Sequence, residues 1–357
     1  MPTTIPKLLD QLLRTPGPSG HESGPARVWR HACSAFAQDV RGDKVGSSVA
    51  RIPARPATGG GPTLAVIGHI DEIGVHVTHI EDQGYLRFGE VGGWDPIQLV
   101  GQRVRLATRG GDVIGVIGRK PIHLIKADER DKAPKTKDLH IDIGADDADE
   151  AREMVRIGDV GVIDAEPVML PNGRLVSRSL DNRIGCFVAA EAARLVAADG
   201  GAAGDVLALA VAQEETTFAG ARTSAFGLDP DLAIVVDVTH ATDQPGVELG
   251  PVTTHKLGSG PVIARGTSLH PAVTELLHDT AEVEGMSFTV ESLGRGTGTD
   301  ADAVHATRTG VPTGLVSVPL RYMHSAVELV SLADIQVAAE LIAAFAKRLT
   351  ADISFAR

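Results

Sequence analysis

The chain has 357 residues, of which 43% are hydrophobic and 22% charged, and its formal charge is −12. This composition excludes a disordered, collagen-like or coiled-coil chain. The length is typical of two domains, or of one domain with a large insertion. Because the chain is acidic and only 3% aromatic, we expect no nucleic-acid partner.

The cysteines and the N-terminal segment indicate the compartment. Cys33 and Cys186 form neither a CxxC pair nor a disulfide framework, which is typical of a reducing environment. The first residues lack the apolar stretch and the cleavage motif of a secretory signal. No apolar run is long enough to span a bilayer. We therefore predict a cytoplasmic protein without a membrane partner.

The N-terminal residues predict the beginning of an α/β unit. Helical spacing of apolar residues predicts helices over 5–14 and 22–38, separated by the helix-breaking sequence TPGPSG. The buried run at 63–68 predicts a strand that ends at His69.

The pattern changes over residues 73–165. Short alternating runs such as VHVTHI and QRVRLAT are separated by glycine-rich turns, which is typical of a small β-rich or barrel-like domain. Within it, segment 126–138 is almost entirely charged and is interpreted as a solvated, mobile loop.

From residue 166 onward, strands alternate with long helices. The predicted helices cover 181–198, 269–284 and 332–349, and the predicted strands cover 206–212, 232–238, 261–265, 287–291 and 312–318. Such alternation favours a mostly parallel sheet covered by helices on both faces. We therefore predict an α/β catalytic domain formed by 1–72 and 166–357, interrupted by the β-rich insertion 73–165.

Histidines and acids recur where the predicted strands end. They are His69, Asp71, Asp181, Glu214, Glu215, Asp237 and His324. Singly, each has a structural explanation, such as a helix cap for Asp181 or a solvated turn for the two glutamates. Together they are expected in one crevice, because ligands of open α/β sheets gather beyond the carboxyl ends of the strands. Imidazoles and carboxylates in this number suit a pair of divalent ions such as zinc, cobalt or manganese.

Six motifs in a fixed order carry a resemblance. They are GHIDEIG (68–74), SRSLDNRIGC (177–186), QEE (213–215), VVDVTHA (235–241), GTDADAVH (298–305) and PLRYMHS (319–325). They resemble the motifs of metallopeptidase family 42, the tetrahedral (TET) aminopeptidases, some members of which carry an endoglucanase label. The resemblance extends over essentially the whole chain and implies the di-zinc aminopeptidase fold.

The resemblance implies a metal-binding role for five of these positions. Asp181 would bridge two metal ions, zinc or cobalt, with manganese as a further candidate. His69 and Asp237 would complete one metal site, and Glu215 and His324 would complete the other.

The resemblance also implies the catalytic and assembly roles. Glu214 would be the general base, and Asp71 would orient the imidazole of His69. Residues 73–165 would be a dimerisation domain, and family members often form tetrahedral dodecamers. Histidines outside the motifs, such as His255, are predicted to lie on the surface.

The resulting hypothesis is an aminopeptidase that hydrolyses N-terminal residues from short peptides through a metal-bridging water activated by Glu214. Three alternatives stay open. A di-metal deacylase or carboxypeptidase would use the same ligands on a different substrate end. A glycoside hydrolase would need two carboxylates and usually no metal. A non-catalytic, assembly-forming metal protein would have no need of Glu214.

Overall fold

The computed structural model describes residues 4–56, 60–247 and 253–356. The helices are α1 (Lys7–Arg14), α2 (Ser23–Cys33), α3 (Pro96–Leu99), α4 (Ala148–Met154), α5 (Leu180–Ala198), α6 (Glu214–Thr217), α7 (Ala219–Leu228), α8 (Pro271–Val283), α9 (Ala301–Val304) and α10 (Leu332–Arg348). Across the described ranges, no helix is both long enough and apolar enough to cross a membrane.

The strands form one large sheet and one barrel. They are β1 (Asp39–Gly42), β2 (Ser48–Ile52), β3 (Leu64–His69), β4 (Gly74–Ile80), β5 (Leu86–Val91), β6 (Arg103–Thr108), β7 (Gly111–Arg119), β8 (Leu139–Asp142), β9 (Val160–Ile163), β10 (Val168–Leu170), β11 (Arg174–Ser177), β12 (Val206–Val211), β13 (Leu232–His240), β14 (Val262–Gly266), β15 (Thr289–Leu293), β16 (Thr313–Arg321) and β17 (Glu328–Ser331).

The main path of the large sheet is parallel at its centre and antiparallel towards both of its ends, and a side branch holds the parallel pair β14 and β15. Its strand order is β1, β2, β12, β3, β13, β16, β17, β11, β10, and β14 pairs with both β15 and β16. The neighbours β12, β3, β13 and β16 pair in parallel. Their carboxyl ends therefore lie along the same edge of the sheet, where α/β proteins bind ligands.

Helices cover both faces of this sheet, as the sequence predicts. Leu64 and Val66 of β3 pack into one core with α5, α8 and α10. The alternate residues Ala65 and Ile67 pack into a second core with α7 and α9. Successive side chains of a strand point to opposite faces, so an unbroken apolar run such as β3 is buried on both sides.

Gly68 allows α5 to lie against the end of β3. A Cβ atom at this position would come within 2.3 Å of the carbonyl carbon of Gly185, so no side chain fits. Gly185 lies four residues after Asp181 near the beginning of α5. The close approach brings the first turn of α5 to the edge where β3 ends at His69.

Six strands between Gly74 and Ile163 form a closed barrel. Its strand order is β4, β5, β8, β7, β6, β9, and every neighbouring pair is antiparallel. The barrel has an apolar core of its own that includes Val75, Leu86 and Leu106. In the chain the barrel lies between β3 and β10, two strands of the large sheet. None of its six strands pairs with a strand of that sheet.

His255 differs from the prediction of a surface position. It is 3% exposed, and its Nδ1 atom lies 2.7 Å from the hydroxyl of Thr289 on β15. Burial lowers the pKa of its imidazole. The sequence around His255 carries no apolar periodicity, and the neighbouring strand that covers it is distant in the chain.

Asp334 is a buried carboxylate at the beginning of α10. Its two oxygens accept hydrogen bonds from the backbone N–H groups of Gly258 (2.7 Å) and Gly260 (2.8 Å). Burial nevertheless raises the pKa of this carboxyl to about 6. Because the folded protein binds this proton more tightly than the unfolded chain, the folded state loses stability as the pH rises through this range.

Asp334→Asn should remove this pH dependence. Between about pH 4 and pH 7, we expect the free energy of unfolding of the wild type to fall by about 2–3 kcal/mol relative to the variant, since one pKa unit corresponds to about 1.4 kcal/mol. Urea unfolding of both metal-free proteins across this range measures the difference. A difference that does not change with pH would contradict the expectation.

Candidate metal centre

The histidines and acids predicted from the strand ends converge at one edge of the large sheet. Six of them line a single open cavity of about 470 Å³, namely His69, Asp181, Glu214, Glu215, Asp237 and His324. The seventh, Asp71, lies behind the cavity and is fully buried. Five chain segments deliver them: the end of β3, the first turn of α5, α6, β13 and the loop after β16.

His69 lies among the acidic side chains. Its Nε2 atom is 3.1 Å from Oδ1 of Asp181 and 3.6 Å from Oε2 of Glu214. Potential ligand atoms of His69, Asp181 and Glu215 all lie within 4.8 Å of one another, and so do those of His69, Glu214 and Asp237. These two groups share His69, so the potential ligand atoms of all five residues lie close together.

His324 approaches from the loop after β16. Its Nε2 atom lies 3.4 Å from Oδ2 of Asp181 and 3.7 Å from Oε2 of Glu215. Its Nδ1 atom lies 2.7 Å from the carbonyl oxygen of Gly93. A carbonyl can only accept, so Nδ1 carries the hydrogen, and in the neutral imidazole the lone pair of Nε2 is left for a cation. Gly93 follows barrel strand β5, so the barrel region contributes to this site.

Asp71 anchors the two adjacent glutamates. Its carboxylate oxygens accept hydrogen bonds from the backbone N–H groups of Glu214 (3.0 Å) and Glu215 (3.1 Å). One of these oxygens also lies 3.5 Å from Nδ1 of His69. Asp71 therefore touches the backbone of α6 and the imidazole of His69 without reaching the cavity.

The electrostatics of the cluster are dominated by burial of like charges. Burial raises the pKa of Glu214 to about 10 and that of Asp237 to about 7, and neighbouring carboxylates add to both shifts. Burial also raises the pKa of Glu215 well above its usual range. For His69, burial opposes the charged form, but Glu214, Asp181 and Asp71 hold its pKa well above the ordinary value.

The donor set fits divalent cations. Oε1 of Glu215 is buried and has no hydrogen-bond partner among the described residues. Leaving a buried carboxylate oxygen without a partner is unfavourable, and a cation would satisfy it while offsetting the repulsion between the acids. Two imidazoles with four carboxylates are ligands that borderline divalent ions accept.

Three buried acids next to this centre were not predicted from the sequence. They are Glu72, Asp300 and Glu328. Glu72 pairs with the guanidinium groups of Arg178 and Arg183. Two of them lie in motifs singled out above, Glu72 in GHIDEIG and Asp300 in GTDADAVH, whereas Glu328 lies in none of the six.

Comparisons with known proteins indicate the family of this chain. The chain matches the family model described as M42 glutamyl aminopeptidase over residues 48–341. It is 34% identical to a lysyl aminopeptidase of Pyrococcus furiosus, over 96% of this chain and 97% of the relative.

Two solved structures are similar over nearly their whole length. A TET aminopeptidase from the marine sediment archaeon Thaumarchaeota archaeon SCGC AB-539-E09 is 34% identical with a TM-score of 0.90, over 96% of both chains. The TET1 peptidase of Pyrococcus horikoshii, which can assemble into a tetrahedron or a large octahedral shell, is 31% identical with a TM-score of 0.83, over 96% of this chain and 99% of that chain. These likenesses favour the aminopeptidase hypothesis over the deacylase, carboxypeptidase and glycoside hydrolase alternatives. The chain therefore belongs to the M42 glutamyl aminopeptidase family, a family of metal-dependent aminopeptidases.

Proposed function

We propose that this chain is a di-metal aminopeptidase that removes N-terminal residues from short peptides. Asp181 would be shared by the two cations, zinc or cobalt, with manganese as a further candidate. His69 and Asp237 would hold one cation with it, and Glu215 and His324 would hold the other. The observation that carries this proposal is the convergence of these five side chains on one cavity.

Glu214 is the general base and acid of the proposed reaction. Divalent cations bound here would supply Lewis acidity, which makes the attacking water more acidic and polarises the peptide carbonyl. Glu214 accepts the proton of the attacking water and returns it to the leaving amine. Its side chain is 10% exposed, lines the cavity and lies beside His69, so it is accessible to substrate while remaining next to the cluster.

The chemistry of the cavity suits a free α-amine. Its described lining residues include four carboxylates and neither lysine nor arginine. A free N-terminus can offer a positive charge to a carboxylate or, once deprotonated, a lone pair to a cation, whereas an acetylated N-terminus offers neither. A peptide bound through its α-amine has its first peptide bond next to the cations. The enzyme would therefore remove one residue at a time from the N-terminus.

The proposed enzyme is a cytoplasmic homo-oligomer. Residues 73–165 form the contact of a dimer, and the dimers assemble further, up to a dodecamer. The assembly of the P. horikoshii relative supports this. So do large apolar side chains exposed in the barrel region, among them Ile114, Val116 and Leu124. The buried free thiols of Cys33 and Cys186 are typical of reducing compartments. Sedimentation velocity should give a species larger than a monomer, and a fully active monomer would contradict the proposed assembly.

The proposed activity can be tested with free and N-acetylated short peptides. We expect metal-stripped protein to be inactive and to regain activity when zinc, cobalt or manganese is added. Only the free-amine peptides should lose their first residue, because an acetylated nitrogen offers the cavity neither a positive charge nor a lone pair. Mass spectrometry of the products identifies the cleaved bond and ranks the side-chain preference. Release of residues from acetylated peptides, or no cleavage of any free-amine peptide with any metal, would overturn the proposal.

A further inference from the structure

Glu328 lies between the two segments that bring Asp181 and His324 to the cavity. Its strand, β17, pairs with β11 on one side and with β16 on the other. Strand β11 leads into the turn before Asp181, and β16 leads into the loop that carries His324. The side chain is 1% exposed and is not among the residues that line the cavity, so it is out of reach of a substrate.

The two oxygens of Glu328 bind one backbone group in each segment. Oε2 accepts a hydrogen bond from the N–H of Asp181 at 3.1 Å, and Oε1 accepts one from the N–H of His324 at 3.0 Å. Both N–H groups belong to residues that offer side chains to the proposed second cation. A single carboxylate therefore joins the backbones of two prospective ligands.

The backbone around His324 needs such support. His324 has φ +58° and Tyr322 has φ +61°, a left-handed conformation that is unfavourable for residues other than glycine. Surrounding contacts must therefore hold this conformation. Two contacts hold His324: Glu328 at the backbone N–H and the Gly93 carbonyl at Nδ1.

Asp71 shows the same arrangement on the other side of the cavity. Its carboxylate accepts the N–H groups of Glu214 and Glu215, much as Glu328 accepts those of Asp181 and His324. We propose that Glu328 is a positioning residue that fixes the separation of Asp181 and His324, and thereby sets the affinity of the site that they form with Glu215. This inference rests on the proposed function.

Glu328→Gln tests the inference through metal affinity rather than activity. Glutamine offers only one acceptor oxygen and places an N–H₂ group against the second backbone N–H, so one segment is released. We expect the weaker-bound zinc to lose affinity by about 10–100-fold, as is typical when groups that orient ligands are changed. Competition with a chromophoric chelator measures the affinity, and elemental analysis counts the zinc bound per chain.

The chain offers a matched control in Asp334. It too is a buried carboxylate that accepts two backbone N–H groups, but it does so away from the cavity. Asp334→Asn should change the stability of the metal-free protein yet leave both zinc affinities unchanged. Glu328→Asp keeps the charge but is one methylene shorter, so it should also weaken zinc binding, and it replaces Glu328→Gln as the test if that variant does not fold.

The possible results separate this inference from the proposed function. Weaker binding of one zinc in the Glu328 variants, with wild-type affinity for both zinc ions in Asp334→Asn, would support the positioning role. Two zinc ions bound with wild-type affinity in the Glu328 variants, beside an active wild type, would overturn only this inference. A wild type that binds no divalent cation would overturn the proposed function and this inference together.

Discussion

Glu214→Gln is expected to lower kcat by about 10²–10⁴-fold, the contribution usual for a positioned general acid–base. The amide keeps the shape of the side chain but cannot accept the proton of the attacking water. KM should change less than kcat, because Glu214 takes the proton in the chemical step and not when the substrate binds. Steady-state cleavage of a free-amine peptide, with the metal content determined in parallel, measures the effect.

Glu215→Gln is the control for the adjacent position. Glu215 lies 3.7 Å from Nε2 of His324 and is the proposed ligand of the pair, so its replacement should lower the metal content along with the activity. Glu214→Gln should instead retain both metal ions. If Glu214→Gln lost metal and Glu215→Gln kept it, the roles of the two glutamates would be the reverse of those proposed. Glu214 would then be the metal ligand, together with its neighbours His69 and Asp237.

Glu72→Gln should cause the largest loss of stability. Glu72 is 3% exposed in its side chain, pairs with Arg178, lies 3.0 Å from a guanidinium nitrogen of Arg183, and accepts the N–H of Gly17. Arg183 is fully buried, so the substitution leaves an uncompensated charge in the interior. We expect the free energy of unfolding to fall by about 3–5 kcal/mol, the usual range for breaking one side of a buried ion pair.

An exposed ion pair provides the comparison. Glu275 lies 2.8 Å from Arg265, and both side chains are about half exposed. Glu275→Gln should therefore change the free energy of unfolding by less than about 1 kcal/mol. Urea unfolding of the metal-free proteins compares the two variants with the wild type. If both variants changed the free energy of unfolding by the same small amount, the positive charges of Arg178 and Arg183 would not depend on Glu72 for compensation.

The periodicity of apolar residues predicted element bounds most accurately in segments whose own apolar residues are buried. The predicted strand 63–68 is observed at Leu64–His69, and the predicted helix 181–198 at Leu180–Ala198. The predicted helix 22–38 ends earlier, at Cys33, because the N–H groups of Ala35 and Phe36 bond to carbonyls three residues back, those of Ala32 and Cys33, and not four. Such a local turn changes no apolar spacing and is therefore invisible to periodicity.

Burial of acids could not be predicted in the same way. Glu328 sits in the short strand sequence ELVS, where a glutamate is normally solvated. It is buried because β11 and β16 flank its strand, and this pairing depends on segments distant in sequence. The acids of the cavity were predicted because the carboxyl ends of parallel strands lie along one edge of the sheet, where ligands bind. No comparable rule predicts the position of acids buried behind that edge, such as Glu328.

The hydrogen bond between the Gly93 carbonyl and His324 has a consequence for engineering. A Cβ atom at residue 93 would lie 3.3 Å from Nδ1 of His324, so even alanine would crowd the imidazole. A barrel grafted from a relative must therefore reproduce the backbone path after β5, and not merely close the chain between β3 and β10. The inserted barrel is thus not freely exchangeable. Although it contributes no strand to the large sheet, its replacement would change the position of His324 at the edge of that sheet.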